Sequence, residues 1–328
     1  MATYSKRGDR WRAEIRAKGV RQSKSFTTKA SAKAWAAMVE RELEEGVLGK
    51  IPNKTFGELL ERYSAEVSSL KIGHSREVKT ITRVLKDEIA SVPLAELSAK
   101  HIASWRDRRL KDVSGSTVVR EMNILSHACN IARKEWGWLK TAPTSDVSRP
   151  KENPSRTRRP TQDETNRLLH ASGYHRDQPP ISVSARVGAA YLFAIETAMR
   201  AGEIAGIRKE HVFERHVHIP ITKNGTARDV PLSSEARRIL EQVMVVTRNE
   251  KSVFGIKSSS IDAIFRKLKN KAVVNGLNFH DTRREALTRL AKKFDVMSLA
   301  KISGHKDLRI LQNVYYAPSI SDLAANLD

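Results

Sequence analysis

Six side chains that could bind or attack a phosphodiester follow one another through the C-terminal half of the chain. They are two arginines, a lysine, two histidines and a tyrosine, namely Arg200, Lys223, His280, Arg283, His305 and Tyr315. Arginine is planar, permanently charged and able to donate two hydrogen bonds at once, which suits the non-bridging oxygens of a phosphate. A histidine or lysine can carry protons to and from the reacting oxygens. The set predicts attack of a tyrosine hydroxyl on a phosphodiester, without a metal ion or other cofactor.

The segment that must position these side chains, residues 161–328, is predicted to be mostly helical. Thr161 and Glu164 form a capping box that begins its first helix. A β-hairpin is predicted around residues 216–232, because Asn224-Gly225 is a strong turn signal. Lys223 would then lie at the turn of this hairpin.

Residues 1–50 are predicted to form a small basic module, a three-stranded sheet followed by a helix over residues 29–45. Its expected core comprises Trp11, Ile15, Phe26 and Trp35. Residues 1–33 hold ten Lys and Arg side chains and two acidic ones, and a basic sheet can enter a DNA groove. The predicted DNA contacts here are Arg7, Arg12 and Arg16. The alternative is a sheet that only caps another domain.

Residues 54–150 are predicted to be all helical, and residues 151–160 to be a basic linker. A capping box at Thr55 and Glu58 begins the first helix, and further helices fit residues 75–89, 98–110 and 116–136. The cationic end of the third helix is either a solvated face or a phosphate contact. The predicted DNA contacts of this helix and of the proline-containing linker are Arg106, Arg109, Arg156, Arg158 and Arg159.

The composition favours a nucleic-acid partner. The chain has 328 residues, a net charge of +22 and a pI of about 10.2. Such a surplus points to a polyanion, although a generally basic soluble protein or a ribosome-associated factor would share it. Cys129 is the single cysteine, so an intrachain disulfide and a cysteine-based zinc site are excluded. Since no signal-like or membrane-spanning apolar stretch is present, we expect a cytoplasmic protein that makes no contact with a membrane.

The order of these motifs resembles the tyrosine recombinase, or phage integrase, family along the whole chain. Residues 196–208 are similar to the first signature box of the family, and residues 280–285 to the second. Residues 302–306 and the tyrosine segment follow as in the family. The resemblance implies a mainly α, multidomain α+β fold. It also implies an arm-type DNA-binding domain over 1–50, a core-binding domain over 54–150 and a catalytic domain over 161–328.

The resemblance also implies a role for each residue of the set. Arg200 and Arg283 would hold the scissile phosphate, and Glu203 would support the shape of the pocket behind Arg200. Lys223 would be the general acid toward the 5′-oxygen. His280 would assist proton transfer, and His305 would donate a hydrogen bond to the phosphate.

Three positions depart from the pattern of the family. The tyrosine usually lies nine residues after the histidine of the third box, but Val314 occupies that position. Alignment of the C-terminal tail favours Tyr315 as nucleophile, with Tyr316 as the alternative. Ala198 stands where a glycine is usual, and Arg284 where many relatives have histidine.

The reaction implied by the resemblance is recombination through a 3′-phosphotyrosyl intermediate and a Holliday junction. The expected partners are double-stranded DNA with core and arm sites, and further protomers that form a homotetramer on synapsed DNA. DNA-bending or excisionase proteins are candidate accessory partners. A bacterial cell, with the enzyme at the nucleoid, is the expected setting, and a phage or other mobile element the expected source.

Two other functions would draw on parts of the same sequence. A type IB topoisomerase-like nicking-closing enzyme would use the same chemistry without exchanging strands between duplexes, but the arm-type module and the short tail argue against it. A DNA-binding regulator that has lost catalysis would not need the intact set of phosphate-binding and nucleophilic residues.

Overall fold

The computed structural model of the chain describes residues 2–17, 20–44, 51–154, 156–220 and 227–315. The chain divides into two compact units, Met1–Ser155 and Arg156–Asp328. The predicted mainly α fold with small antiparallel sheets is confirmed. Within the described ranges, no helix combines the length and the apolar character needed to cross a bilayer.

The first unit begins with a three-stranded antiparallel sheet of order β1-β2-β3 and one helix packed on it. The elements are β1 (Ala2–Arg7), β2 (Arg10–Ala17), β3 (Val20–Phe26) and α1 (Lys29–Glu44). Alternation along β2 buries Ala13 and Ile15 against α1 and leaves Arg12 and Arg16 on the other face. Trp35 belongs to the small core, and Trp11 and Phe26 pack against it, as expected.

The rest of the first unit is helical. Its helices are α2 (Phe56–Glu66), α3 (His74–Val84), α4 (Ala99–Asp112) and α5 (Gly115–Ile131). The capping box at Thr55 and Glu58 is present. The helix predicted over residues 75–89 ends at Val84, because the Asp87 carboxylate accepts from the backbone of Ile89 and begins a separate 3₁₀ turn. The last turn of the helix predicted to reach residue 136 is a π-helical turn, Ala132–Trp136.

The second unit surrounds one almost fully buried helix. This helix is α7 (Val183–Thr197), and it packs against α6, α9 and α11. The other helices are α6 (Gln162–Ser172), α8 (Ala201–Ala205), α9 (Ser234–Val246), α10 (Ser258–Lys271), α11 (Asp281–Leu290), α12 (Val296–Ser303) and α13 (Leu308–Val314). Two antiparallel strands, β4 (His216–Ile219) and β5 (Arg228–Pro231), form the predicted hairpin ladder. Its predicted turn, with Lys223, lies outside the described residues.

Candidate active site

The connection from α7 to α8 places the first arginine. Ala198, the residue after the end of α7, has a left-handed φ of 54°, and Arg200 then precedes α8. Glycine adopts a left-handed conformation more easily than alanine. This is a physical reason why glycine is usual at this position in the family that the sequence resembles. The bend frees the Ala198 carbonyl from the helix and turns Arg200 toward a cavity of about 210 Å³.

Glu203 is the carboxylate that fixes this arginine. Its oxygens accept from the Arg200 backbone and from Arg200 Nη1, both at 2.9 Å. The same oxygens accept from Nη1 and Nη2 of Arg228 at 3.0 and 2.7 Å. Burial alone would raise the pKa of Glu203, but the hydrogen bonds from Arg228 and from the Arg200 backbone outweigh it and lower the pKa to about 2. Glu203 is therefore a carboxylate shared by two arginines.

Arg228 is a site residue that the sequence analysis missed. Its side chain is 7% exposed, and besides Glu203 it donates from Nε to the Ile302 carbonyl at 3.0 Å. A Cβ at Gly304 would crowd this side chain, since it would lie 3.2 Å from Arg228 Cδ and 3.3 Å from Nη1. The signal was the period of two in β5, which puts Arg228 on the same face as the buried Val230.

Arg283 lies in the first turn of α11 and is held by main-chain oxygens. It donates from Nη1 to the Ala198 carbonyl and from Nη2 to the Ser303 carbonyl, the latter at 2.7 Å. Only 3% of the residue is exposed. Burial, with the charge of Arg200, lowers the pKa of Arg283 to about 9, which leaves it charged at neutral pH. Its position is thus set by three segments that are distant in sequence.

The two histidines lie at helix ends beside these arginines. His280 immediately precedes α11, and His305 follows Gly304, which ends α12 in a left-handed conformation. Desolvation and the charge of Arg283 lower the pKa of both rings, that of His305 to about 4. Both imidazoles are therefore neutral at pH 7.

Tyr315 ends α13 and packs against a small apolar cluster that includes Ala198 and Leu311. The guanidinium carbon of Arg284 lies 5.4 Å from the centre of its ring, within the range of a cation–π contact. Arg284 also donates from Nε to the Arg156 carbonyl at 2.9 Å. The alternative nucleophile, Tyr316, lies outside the described residues.

The cavity brings three predicted residues together, since Arg200, His280 and Arg283 all line it. Asp262, which the motifs did not identify, also lines it. His305 joins the group through Ser303, whose Oγ is 2.7 Å from His305 Nδ1. Two guanidinium groups and one neutral imidazole line the cavity, with His305 beside them, and such a set of donors can hold a singly charged oxyanion.

Seven of the eight arginines predicted to contact DNA make polar contacts with other residues of the chain. Arg12 donates to Ser23 Oγ at 2.8 Å and Arg16 pairs with Glu14, whereas Arg7 is exposed. Arg106 donates to the Ser148 carbonyl, and Arg109 pairs with the buried Glu121. In the segment predicted to be a linker, the ion pairs are Arg156–Asp281, Arg158–Glu164 and Arg159–Glu285. The linker arginines thus attach this segment to the second unit, and DNA contact by any of the eight stays a prediction.

Comparisons with known proteins agree on one family. Residues 158–321 match the phage integrase family. A Haemophilus influenzae protein classed as an integrase/recombinase is 45% identical, over 98% of this chain and 89% of that protein. The shufflon-specific DNA recombinase of Escherichia coli is 35% identical, over 80% of this chain and 69% of that protein.

Solved structures agree on the fold. A lambda integrase dimer bound to a COC′ core site superposes with a TM-score of 0.67 at 16% identity, over 80% of this chain and 95% of that one. A lambda integrase tetramer bound to a Holliday junction gives 0.66 at 15% identity, over 95% of each chain.

Proposed function

Because the chain belongs to the phage integrase family and is a site-specific DNA recombinase of the tyrosine type, we propose that Tyr315 attacks a DNA phosphate held by Arg200 and Arg283. The observation that carries the proposal is the anchoring of Arg283 on the carbonyls of Ala198 and Ser303, beside Arg200 on Glu203. Both guanidinium groups are oriented before any substrate binds, and such preorganisation is what stabilises charge that develops in a transition state.

In the proposed cleavage step, the Tyr315 oxygen forms a bond to phosphorus as the bond to the 5′-oxygen breaks. The tyrosine proton passes to the neutral His280, and Lys223 gives a proton to the leaving 5′-oxygen. The product is a 3′-phosphotyrosyl bond and a free 5′-hydroxyl. His305 donates a hydrogen bond to the phosphate throughout the step.

Strand joining reverses this step with a different 5′-hydroxyl. The hydroxyl of a partner duplex attacks the phosphotyrosyl bond, and the tyrosine regains its proton. The energy of the phosphodiester is kept in the covalent intermediate, so no nucleotide cofactor is consumed. Two rounds of exchange pass through a Holliday junction, and we propose that a homotetramer carries them out. The lambda integrase tetramer on such a junction supports this assembly by its similar fold.

The division of labour that we propose assigns arm-type DNA binding to residues 1–50 and core binding to residues 54–150. Residues 161–328 would perform catalysis, with 151–160 as the connecting segment. We further propose that the protein acts in the bacterial cytoplasm at the nucleoid, that it integrates or excises a phage or other mobile element, and that DNA-bending or excisionase proteins assist it.

The decisive experiment is trapping of the covalent intermediate. A core sequence is first selected from a pool of randomised duplexes by binding to the full chain, and is then built into a duplex with a nick beside the cleavage point. Loss of the short strand prevents religation, so a protein–DNA adduct should accumulate on a denaturing gel. Tyr315→Phe should abolish the adduct, whereas Tyr316→Phe should retain it.

Each other outcome would overturn part of the proposal. Absence of an adduct with the wild-type chain on the selected sequence would contradict the proposed cleavage chemistry. An adduct that survives Tyr315→Phe and disappears with Tyr316→Phe would move the nucleophile to the adjacent residue.

A further inference from the structure

Ser303, the last residue of α12, contacts two members of the site at once. It is fully buried. Its carbonyl accepts from Arg283 Nη2, and its Oγ lies 2.7 Å from His305 Nδ1. The left-handed Gly304 between them turns the chain back so that the serine and histidine side chains meet. A buried hydroxyl in this place needs a hydrogen-bond partner, and the histidine ring supplies it.

The direction of this hydrogen bond depends on which acceptor the Ser303 hydroxyl can reach. Ser303 has one hydroxyl proton, and its acceptors in reach are His305 Nδ1 at 2.7 Å and the Ala300 carbonyl at 3.5 Å. The shorter contact is an ordinary O–H···N hydrogen bond, and the longer one is at the limit of hydrogen bonding. The hydroxyl proton is better placed on the short line to Nδ1 than on the long line to the Ala300 carbonyl, which favours the tautomer whose Nδ1 is unprotonated.

The charges around the ring make this assignment matter. Burial keeps the His305 ring neutral, together with the charges of Arg283 on α11, Arg200 before α8 and Arg228 on β5; the neutral His280 ring also faces it. A neutral imidazole carries one N–H, so it can donate to an anion only from the nitrogen that holds that proton. With Nδ1 occupied by Ser303, that nitrogen is Nε2.

We propose that Ser303 is a positioning residue that fixes His305 as its Nε2–H tautomer, so that the neutral ring donates a hydrogen bond to the scissile phosphate. The proposal rests on the proposed cleavage chemistry. It explains how a histidine among three arginines serves as a donor without adding a fourth positive charge before the DNA binds. It also assigns the Ser303 main chain and side chain to two different phosphate-binding groups, Arg283 and His305.

The first test measures the tautomer directly in the full-length protein without DNA. A long-range ¹H–¹⁵N correlation spectrum of ¹⁵N-histidine-labelled chain, with His305 assigned by comparison with His305→Gln, distinguishes the two ring nitrogens. We expect Nδ1 to show the shift of an unprotonated nitrogen and Nε2 that of a protonated one. The reverse pattern in the wild-type chain would overturn the proposal, whatever the activity of any variant.

The second test uses single-turnover cleavage of the nicked suicide duplex. Ser303→Ala should slow adduct formation about tenfold at pH 8, the loss expected for one well-placed hydrogen bond. The deficit relative to wild type should narrow only as the pH falls toward 4, the pKa of His305, because a protonated imidazole donates from both nitrogens and no longer needs the serine. In a His305→Gln background, Ser303→Ala should add little, since the amide donor does not depend on a tautomer.

These results separate the inference from the proposed function. If the wild-type chain forms no adduct, the cleavage chemistry itself is wrong. If it forms an adduct and Ser303→Ala shows the same deficit at every pH and in both backgrounds, Ser303 is only structural and the proposal fails. Ser303→Thr keeps the hydroxyl and should recover most of the rate.

Discussion

Glu203 determines how far the positive charges of the site can approach one another. Its carboxylate receives Arg200 on one side and Arg228 on the other, and its side chain is 7% exposed. Without this shared anion, two guanidinium groups would face each other and Arg283 with little solvent between them. The site therefore requires the Glu203 carboxylate, although Glu203 does not touch the phosphate in the proposed chemistry.

Stability should depend on pH through this residue. The folded-state pKa of Glu203 is about 2, below its ordinary value of 4.5, so its contribution is fully present above pH 4.5 and is lost as the pH falls toward 2. Glu203→Gln should therefore lower the free energy of unfolding by about 3 kcal/mol at pH 7, measured by denaturant titration. The difference between wild type and variant should shrink across that acidic window. Glu210→Gln, a matched change at an exposed and loosely paired glutamate, should have little effect.

Arg284 is a second residue whose influence can be measured, through its contact with the Tyr315 ring. Arg284→Ala should slow adduct formation about fivefold, because a partly buried cation–π contact contributes about 1 kcal/mol to holding the ring. Arg289→Ala, on the same helix and paired with Glu285, is the control and should leave the rate unchanged. Equal rates for both variants would show that the ring contact does not position the nucleophile.

At the scale of elements, the backbone strain among the described residues lies where helices end. Helix α10 closes with Val273 in a left-handed conformation (φ 53°), followed by a 2.9 Å hydrogen bond from Val274 N to the Lys269 carbonyl. This is the closure that glycine usually makes. A β-branched residue is strained there, and Val273 gains little from burial because it is 72% exposed.

Replacing this residue should stabilise the protein. We expect Val273→Gly to raise the free energy of unfolding by about 1 kcal/mol, since relief of a left-handed β-branched residue exceeds the added entropy of glycine in the unfolded chain. Val245→Gly, at an exposed valine in the last turn of α9, should shift stability in the opposite direction. Thermal or denaturant unfolding of both variants tests the pair, and a loss of stability with Val273→Gly would contradict the interpretation.

The same elements show what could be predicted from sequence. The capping boxes at Thr55 and Thr161 depend on residues three positions apart, so the pattern alone located them. The end of α3 at Val84 and the π-helical turn at Ala132 were not predicted, because apolar periodicity continues through both. The motifs identified Arg200 and Arg283, but not Arg228 or Ser303, whose contacts join residues 25 and 20 positions apart in the sequence.

At the scale of the whole molecule, a net charge of +22 predicts DNA binding that weakens steeply with salt. The contribution of the predicted basic face of the N-terminal sheet to this DNA binding can be measured by removing its charges. Arg7→Ala, Arg12→Ala and Arg16→Ala combined should reduce the slope of log affinity against log salt concentration by up to about 3, as expected for three lost phosphate contacts. Fluorescence anisotropy of a labelled duplex across a salt series measures this slope.

Core-site cleavage is the control for this variant, because the proposed cleavage chemistry uses residues of the second unit. The adduct yield on the nicked core duplex at low salt should equal that of wild type. An unchanged slope would remove the N-terminal sheet from the DNA interface and favour the alternative that it only covers another part of the chain.

Main-chain oxygens hold Arg283 and Arg228, since their acceptors include the carbonyls of Ala198, Ser303 and Ile302. A carbonyl is present whatever the side chain, so mutation at these three positions cannot delete the acceptors. The placement of the arginines is in this way decoupled from the residues that happen to surround them. The site can therefore accept a change of side chain at such a position. An alanine can replace the usual glycine at position 198 while its carbonyl still holds Arg283. An engineer could vary the side chains at positions 198 and 302 while keeping the framework that orients the charges.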